Sequence, residues 1–199
     1  MEADEAAEYM DKEKETDQFK RNAAIVIAFF AMLLAITGLG GQNATKEALN
    51  ENILASNDFS FFQAKNMRQT SLMMAANEIE LAWSAESSLS DEAKTALRKK
   101  LDDYRKTIER YESEPSTGEG KKELLARAKE HVTKRDHALR QDPYFDYAEA
   151  LLQIAIVLIS VSIVAEQLWL AVVGGAFGGI GGLLMVDGYL LLVEIPGLG

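Results

Sequence analysis

A chain of 199 residues is long enough for one water-soluble domain and a few membrane spans, and its formal charge of −10 argues against general nucleic-acid binding, which needs clustered Lys and Arg on phosphates. The chain has no cysteine, which excludes disulfides, thiolate catalysis and cysteine-held iron–sulfur clusters. Hydrophobic residues (48%) and charged residues (26%) fall in separate blocks, the pattern of a membrane protein with a polar portion rather than of a soluble domain.

Residues 1–22 hold eight acids and four bases with few large apolar side chains, so they read as a solvated acidic tail or a helix extension. Residues 23–41 (AAIVIAFFAMLLAITGLGG) are uncharged and close to the length of about twenty that crosses a bilayer core. The preceding region is net acidic and no small-x-small cleavage site follows, so this first span reads as a retained anchor.

Residues 42–147 mix acids and bases, with apolar residues at spacings of three and four. Arg68, Leu72, Ala75, Ile79 and Ala82 fall in one register, with Phe61 and Lys65 before them. Leu97, Leu101, Tyr104, Ile108 and Tyr111 form a second run, and Leu125, Ala128, Val132, Arg135 and Leu139 a third. Such spacing belongs to packed helices, not strands. Breaks are expected at Ser88–Asp91, where capping side chains precede DEAKTALRKK, at the Pro115/Gly118/Gly120 stretch, and at Asp142–Pro143. A helical leg over 45–87 would run about 65 Å, and the return over 91–140 about 66 Å once the Pro/Gly break is subtracted. Equal legs favour a long antiparallel hairpin with its tip near Ser88–Ser90. A three-helix bundle broken at Ser56–Asp58 is the alternative. Lys65 and Arg68 in a seam would need acidic partners on the returning leg (Asp102, Asp103, Glu109 or Glu112) and would set the hairpin's register. His131 and His137 are six apart, not the four of a helical zinc pair, and read as surface residues.

Tyr144, Phe145 and Tyr147 follow Pro143 as candidate interfacial aromatics. A second span is expected over 148–165 and a third over 168–193, joined by the polar pair Glu166–Gln167. The third carries a glycine ladder: Gly174, Gly175, Gly178, Gly179 and Gly182 set Gly-x-x-x-Gly at 174/178, 175/179 and 178/182, which flattens a helix face for close packing within or between chains. Asp187 follows the ladder with Glu194 seven residues on, an acidic pair open to three readings: interfacial residues, an intramembrane ion site, or a polar lock between subunits. Bases flanking the first span favour a cytoplasmic N-terminus, whereas those before the second favour a cytoplasmic hairpin; the first helix usually dominates, so the sequence leans to the N-terminus inside.

Two stretches carry a family resemblance. Asn57-Asp58-Phe59-Ser60-Phe61-Phe62-Gln63-Ala64-Lys65 with Arg68-Gln69 is similar to an aromatic-aromatic-Gln-Ala-Lys signature, departing from it at Phe59, where tryptophan is expected. Asp142-Pro143-Tyr144-Phe145, continuing through Ala148-Glu149-Ala150-Leu151-Leu152-Gln153-Ile154-Ala155-Ile156, resembles a Tyr-Phe-x-x-Ala-Glu-x-Leu-Leu-Gln-Ile-Ala-Ile signature. Both resemble an uncharacterised bacterial membrane-protein family known only as a domain of unknown function (4337). The resemblance implies a helical inner-membrane protein with this order of spans, and it brings no catalytic residues.

The expected fold is thus all-α: three transmembrane helices with a long antiparallel, coiled-coil-like helical hairpin between the first and second. No Gly-x-Ser-x-Gly, phosphate loop, dinucleotide fingerprint or metal-ligand cluster is present in the sequence, so no catalytic residue, metal or cofactor is expected. The expected role is a membrane-anchored scaffold or interaction protein whose partners are the lipid bilayer, further copies of itself or other membrane subunits, and not nucleic acid. The alternative is a small oligomeric ion channel or transport subunit using Asp187.

Overall fold

The computed structural model describes residues 2–85, 90–193 and 195, and side chains from 14 to 84 and from 90 onward. The described residues form four α-helices and no strand: α1 (Glu2–Ala85), α2 (Asp91–Glu112), α3 (Lys121–Ala165) and α4 (Leu168–Leu190). Three of them, α1, α3 and α4, are long and apolar enough to cross a membrane.

Local chemistry accounts for most boundaries. Ser90 caps α2 by accepting from the Ala93 N–H at 3.3 Å, and Asp91 and Glu92 sit in the first turn, where the helix dipole favours acids. Residues 86–89, where the tip was expected, lie outside the described residues. Between α2 and α3 the chain turns through Gly118, whose φ of +70° suits glycine. Glu123 then ties the turn, accepting from the Ser113 hydroxyl at 2.6 Å and the Glu114 N–H at 3.1 Å. The Ser113 hydroxyl holds that carboxyl below the usual carboxylate range. The α3–α4 link is only Glu166 and Gln167, with Glu166 at φ +54°.

The expected break at Asp142–Pro143 is absent, and so is the one that the three-helix alternative needed. Ser56–Asp58 lies within unbroken α1, and α3 passes through Pro143. An interior proline deletes one helical hydrogen bond and costs about 3 kcal/mol. Packing of the next turn holds the helix together here, since Tyr144, Phe145 and Ala148 are all buried.

The chain divides into two compact units. The first comprises residues up to Ala48 and from Asp136 onward; the second is Leu49–Arg135. In the first unit α3 lies antiparallel to α1, as the Thr45–Asp142 hydrogen bond (2.8 Å) and the Lys20–Glu166 ion pair (3.6 Å) show from opposite ends. Helix α4 runs alongside both. The core gathers Ala23 and Phe30 of α1 with Leu152, Ala155 and Ile159 of α3, and Phe177 of α4 packs onto it.

In the second unit, contacts descend one leg of α1 as they climb the chain: Glu80 with Arg105, Gln69 with Glu112, Asp58 with Arg127, Glu51 with His131. Helix α2 and the start of α3 are therefore both antiparallel to α1.

Candidate functional site

The glycine ladder of α4 proves to be two-sided. Gly174, Gly181 and Gly188, spaced by sevens, are buried against α3. A Cβ on Gly174 would lie 2.8 Å from Ile159 and 3.0 Å from the Ala155 carbonyl oxygen; one on Gly181 would lie 3.1 Å from the Ala148 carbonyl oxygen. Gly178 faces α1 instead, and a Cβ there would run into the Phe30 ring. Gly182 is in ordinary contact distance of Leu33, at 3.5 Å. Gly175 and Gly179 face away, with nothing within 4 Å of the Cβ position. Of the three expected Gly-x-x-x-Gly pairs, 174/178 is thus wholly occupied inside the chain and 175/179 is wholly open.

The aromatics after Pro143 depart from the interfacial expectation. Tyr147 is exposed, but Tyr144 and Phe145 turn inward. The Phe145 ring sits 4.8 Å from that of Tyr189, edge-on, between Gly40 and Gly41 of α1 and Gly188 of α4. A Cβ on Gly40 would lie 2.7 Å from Phe145 and 2.8 Å from the Tyr189 hydroxyl. Glycine pairs at matching heights were the available signal that something large enters there. Next to this cluster, Gly38, Thr45, Lys46, Asp142, Asp146 and Glu149 line an open polar cavity of about 370 Å³.

Asp187 lies on the last turn of α4. Its Oδ1 accepts from the Leu192 N–H at 2.9 Å and the Val193 N–H at 3.1 Å, while its own carbonyl accepts from Leu191, which adopts a left-handed conformation (φ +45°). The carboxylate thereby closes the helix end by satisfying amides beyond it. Glu194 lies outside the described residues. Asp187→Asn keeps the acceptor oxygen and should leave Leu192 and Val193 as protected from amide exchange as in the parent. Asp187→Ala leaves both donors unmet and should cost about 1 kcal/mol of local stability, read as faster exchange at those two amides. Equal exchange in the two variants would refute the capping role.

The second unit holds a seam that apolar spacing only half revealed. In the second unit the inward line of α1 runs Glu51, Ala55, Asp58, Phe62, Lys65, Gln69, Leu72, Ala76 and Ile79, alternating by four and three, with Phe59 and the expected Ala75 half-buried beside it. Lys65 belongs to it, but Phe61 and Arg68 are exposed, their expected places taken by Phe62 and Gln69. On α3 the expected Leu125, Ala128, Val132 and Arg135 are buried or half-buried, joined by Leu124 and His131, while Leu139 is exposed. The α2 run from Leu97 to Tyr111 is half-buried as its spacing implies.

Polar residues in this seam are paired across it. The Arg127 guanidinium clasps Asp58 through two bonds of 2.7 and 2.6 Å, which holds the Asp58 carboxyl below its usual range. His131 Nδ1 meets the Glu51 carboxylate at 2.5 Å, so this histidine is a seam residue, not a surface one. Gln69 donates to the Ile108 carbonyl at 3.0 Å and the Glu112 carboxylate at 3.2 Å, and Lys121 donates to Gln69 and Glu112 from the other side. Lys65 pairs with Glu119 at 3.4 Å, not with the acids expected on α2. The network satisfies its own donors and acceptors, and among the described residues no cluster of three His, Asp or Glu is arranged to hold a metal.

No curated protein and no solved structure matches the chain. The family described as Domain of unknown function (DUF4337) matches residues 19–191, a stretch that takes in the first-unit core, the glycine-packed α4 and the whole polar seam. The chain belongs to the DUF4337 family.

Proposed function

We propose that the protein is a membrane-anchored helical scaffold or interaction protein that self-associates or serves as an accessory subunit of a larger membrane complex. Its apolar windows, near 23–41, 148–165 and 168–190, cross the membrane as three spans, and the second unit stands outside as a charged helical hairpin. The observation that carries the reading is where apolar side chains remain exposed. In the first unit Phe29, Met32, Val157, Val164 and Leu183 all face outward, which water would penalise and lipid does not. The family resemblance supports the inner membrane of a bacterium, and the bases Lys20 and Arg21 ahead of the first span favour a cytoplasmic N-terminus. The pairs Glu80–Arg105, Gln69–Glu112, Asp58–Arg127 and Glu51–His131 each join two helices of the second unit, which suits a rigid arm better than a reaction centre.

The test is fractionation followed by purification in mild detergent. The protein should stay with membranes through alkaline carbonate washing and elute larger than one chain. Release by carbonate would end the membrane reading, and a monomer with no co-purifying protein would end the scaffold reading.

A further inference from the structure

Among the described residues nothing covers one face of α1 in the second unit, and that face does not look like a water-facing helix surface. Counting sevens along α1, the line opposite the seam is Ile53, Ser60, Met67, Met74 and Leu81. All five are exposed, Met67 at 72% and Met74 at 63%. In a helix whose other side is buried, this line is normally the most charged. Here, from Asn52 to Asn77, charge occurs only at Asp58 and Lys65, which are spent in the seam, and at Arg68 on the edge of the outer face.

The hydroxyls on and beside the line do not supply polarity either. Ser60, Thr70 and Ser71 each donate to a carbonyl four residues back on α1 itself, at 2.8, 2.9 and 3.0 Å. A hydroxyl folded back in this way needs no water and can be covered without leaving a donor unmet.

We infer that this outer face of α1 packs, in parallel, against the same face of a second copy of the chain. Charge decides the occupant. About half of the residues from 91 to 135 are charged, so α2 and α3 offer an incoming helix a solvated surface, whereas the outer face of α1 is an uncharged match for its own copy. The seven-residue repeat is the one that two helices need to stay in contact over several turns. The parallel sense rests on the proposed membrane anchoring: two copies held by the same span leave the bilayer in the same direction, so each outer-line residue meets its own counterpart.

The chain has no cysteine, which makes the test direct. Single substitutions Ile53→Cys, Ser60→Cys, Met67→Cys and Met74→Cys, made in the full chain in membranes, should form disulfide-linked dimers roughly tenfold faster than Lys99→Cys or Lys106→Cys on exposed α2, because the bond needs Cα atoms about 4–7 Å apart. Met67→Glu with Met74→Glu should remove the Ile53→Cys crosslink while leaving helix content unchanged, since both positions are exposed. Crosslinking no faster than on α2 overturns the proposal, as does a crosslinked species whose mass shows a different protein. Single-cysteine variants that crosslink no faster than the α2 controls, in protein that still elutes as a large complex, would refute this pairing and leave the scaffold reading standing. Release of the protein by carbonate would refute the anchoring instead.

Discussion

Arg127→Ala is expected to loosen the second unit more than any other single truncation in its seam. Asp58 is 9% exposed at its side chain and lies beside both His131 and the Glu51–His131 contact, so without the guanidinium its carboxylate stays buried with no full counter-charge. Leaving one member of such a pair unmet costs roughly 2–3 kcal/mol here, below the fully buried case because Arg127 itself is half-exposed. Amide exchange over 124–135 should then accelerate roughly thirtyfold or more. Arg127→Lys, which keeps the charge but not the two-pronged geometry, should fall between. Asp58→Leu combined with Arg127→Leu should recover most of the loss, since it removes the buried charge along with its partner. Unchanged exchange in Arg127→Ala would show that the seam does not depend on this pair.

The pH dependence arises from the same contact. Arg127 depresses the folded-state pKa of Asp58. The resulting stability is complete above the unfolded-state value and is lost as pH falls through the lower folded-state value. The parent should therefore lose second-unit protection only on strong acidification, and Arg127→Ala should lack that component of the acid transition.

Gly174→Leu and Gly175→Leu, adjacent in sequence, should differ by about 3 kcal/mol in stability. At 174 the new side chain must displace Ile159 and the Ala155 carbonyl, which means moving one helix away from another. At 175 the space is open, and replacing glycine in a helix by leucine should even gain several tenths of a kcal/mol. Thermal unfolding in mild detergent reads the difference. The reverse ordering would mean that the working glycine contact lies between chains rather than within this one.

How much of this could be read from the residues depends on what kind of signal each feature leaves. The α2 seam, Leu97 to Tyr111, is made of large apolar side chains at helical spacing and is plain. The α1 seam is not, because Glu51, Asp58, Lys65 and Gln69 add nothing to an apolar pattern, while exposed Phe61 adds a false mark. Asp58–Arg127 and Glu51–His131 join residues 69 and 80 positions apart, so only their three-dimensional pairing identifies them. Pro143 shows the opposite error: a strong local breaker is overridden by burial of the two aromatics after it. The glycines of α4 announce close packing, but their direction depends on which neighbours are small or bulky at each height. Ile159, Ala155 and Phe30 settle that, from other helices.

The two-residue link between α3 and α4 has a consequence for how the first unit assembles. Ile159 and Gly174 meet across a short segment of chain, whereas Phe30 and Gly178 meet only after most of the protein has been enclosed between them. Closing a loop costs entropy that rises with its length, and contacts near in sequence form sooner. The α3–α4 pair can therefore zip together as a local event, with the glycines of both faces already aligned, and present Gly178 as a ready-made notch. Helix α1, arriving from far along the chain, then has a single place to lodge the ring of Phe30.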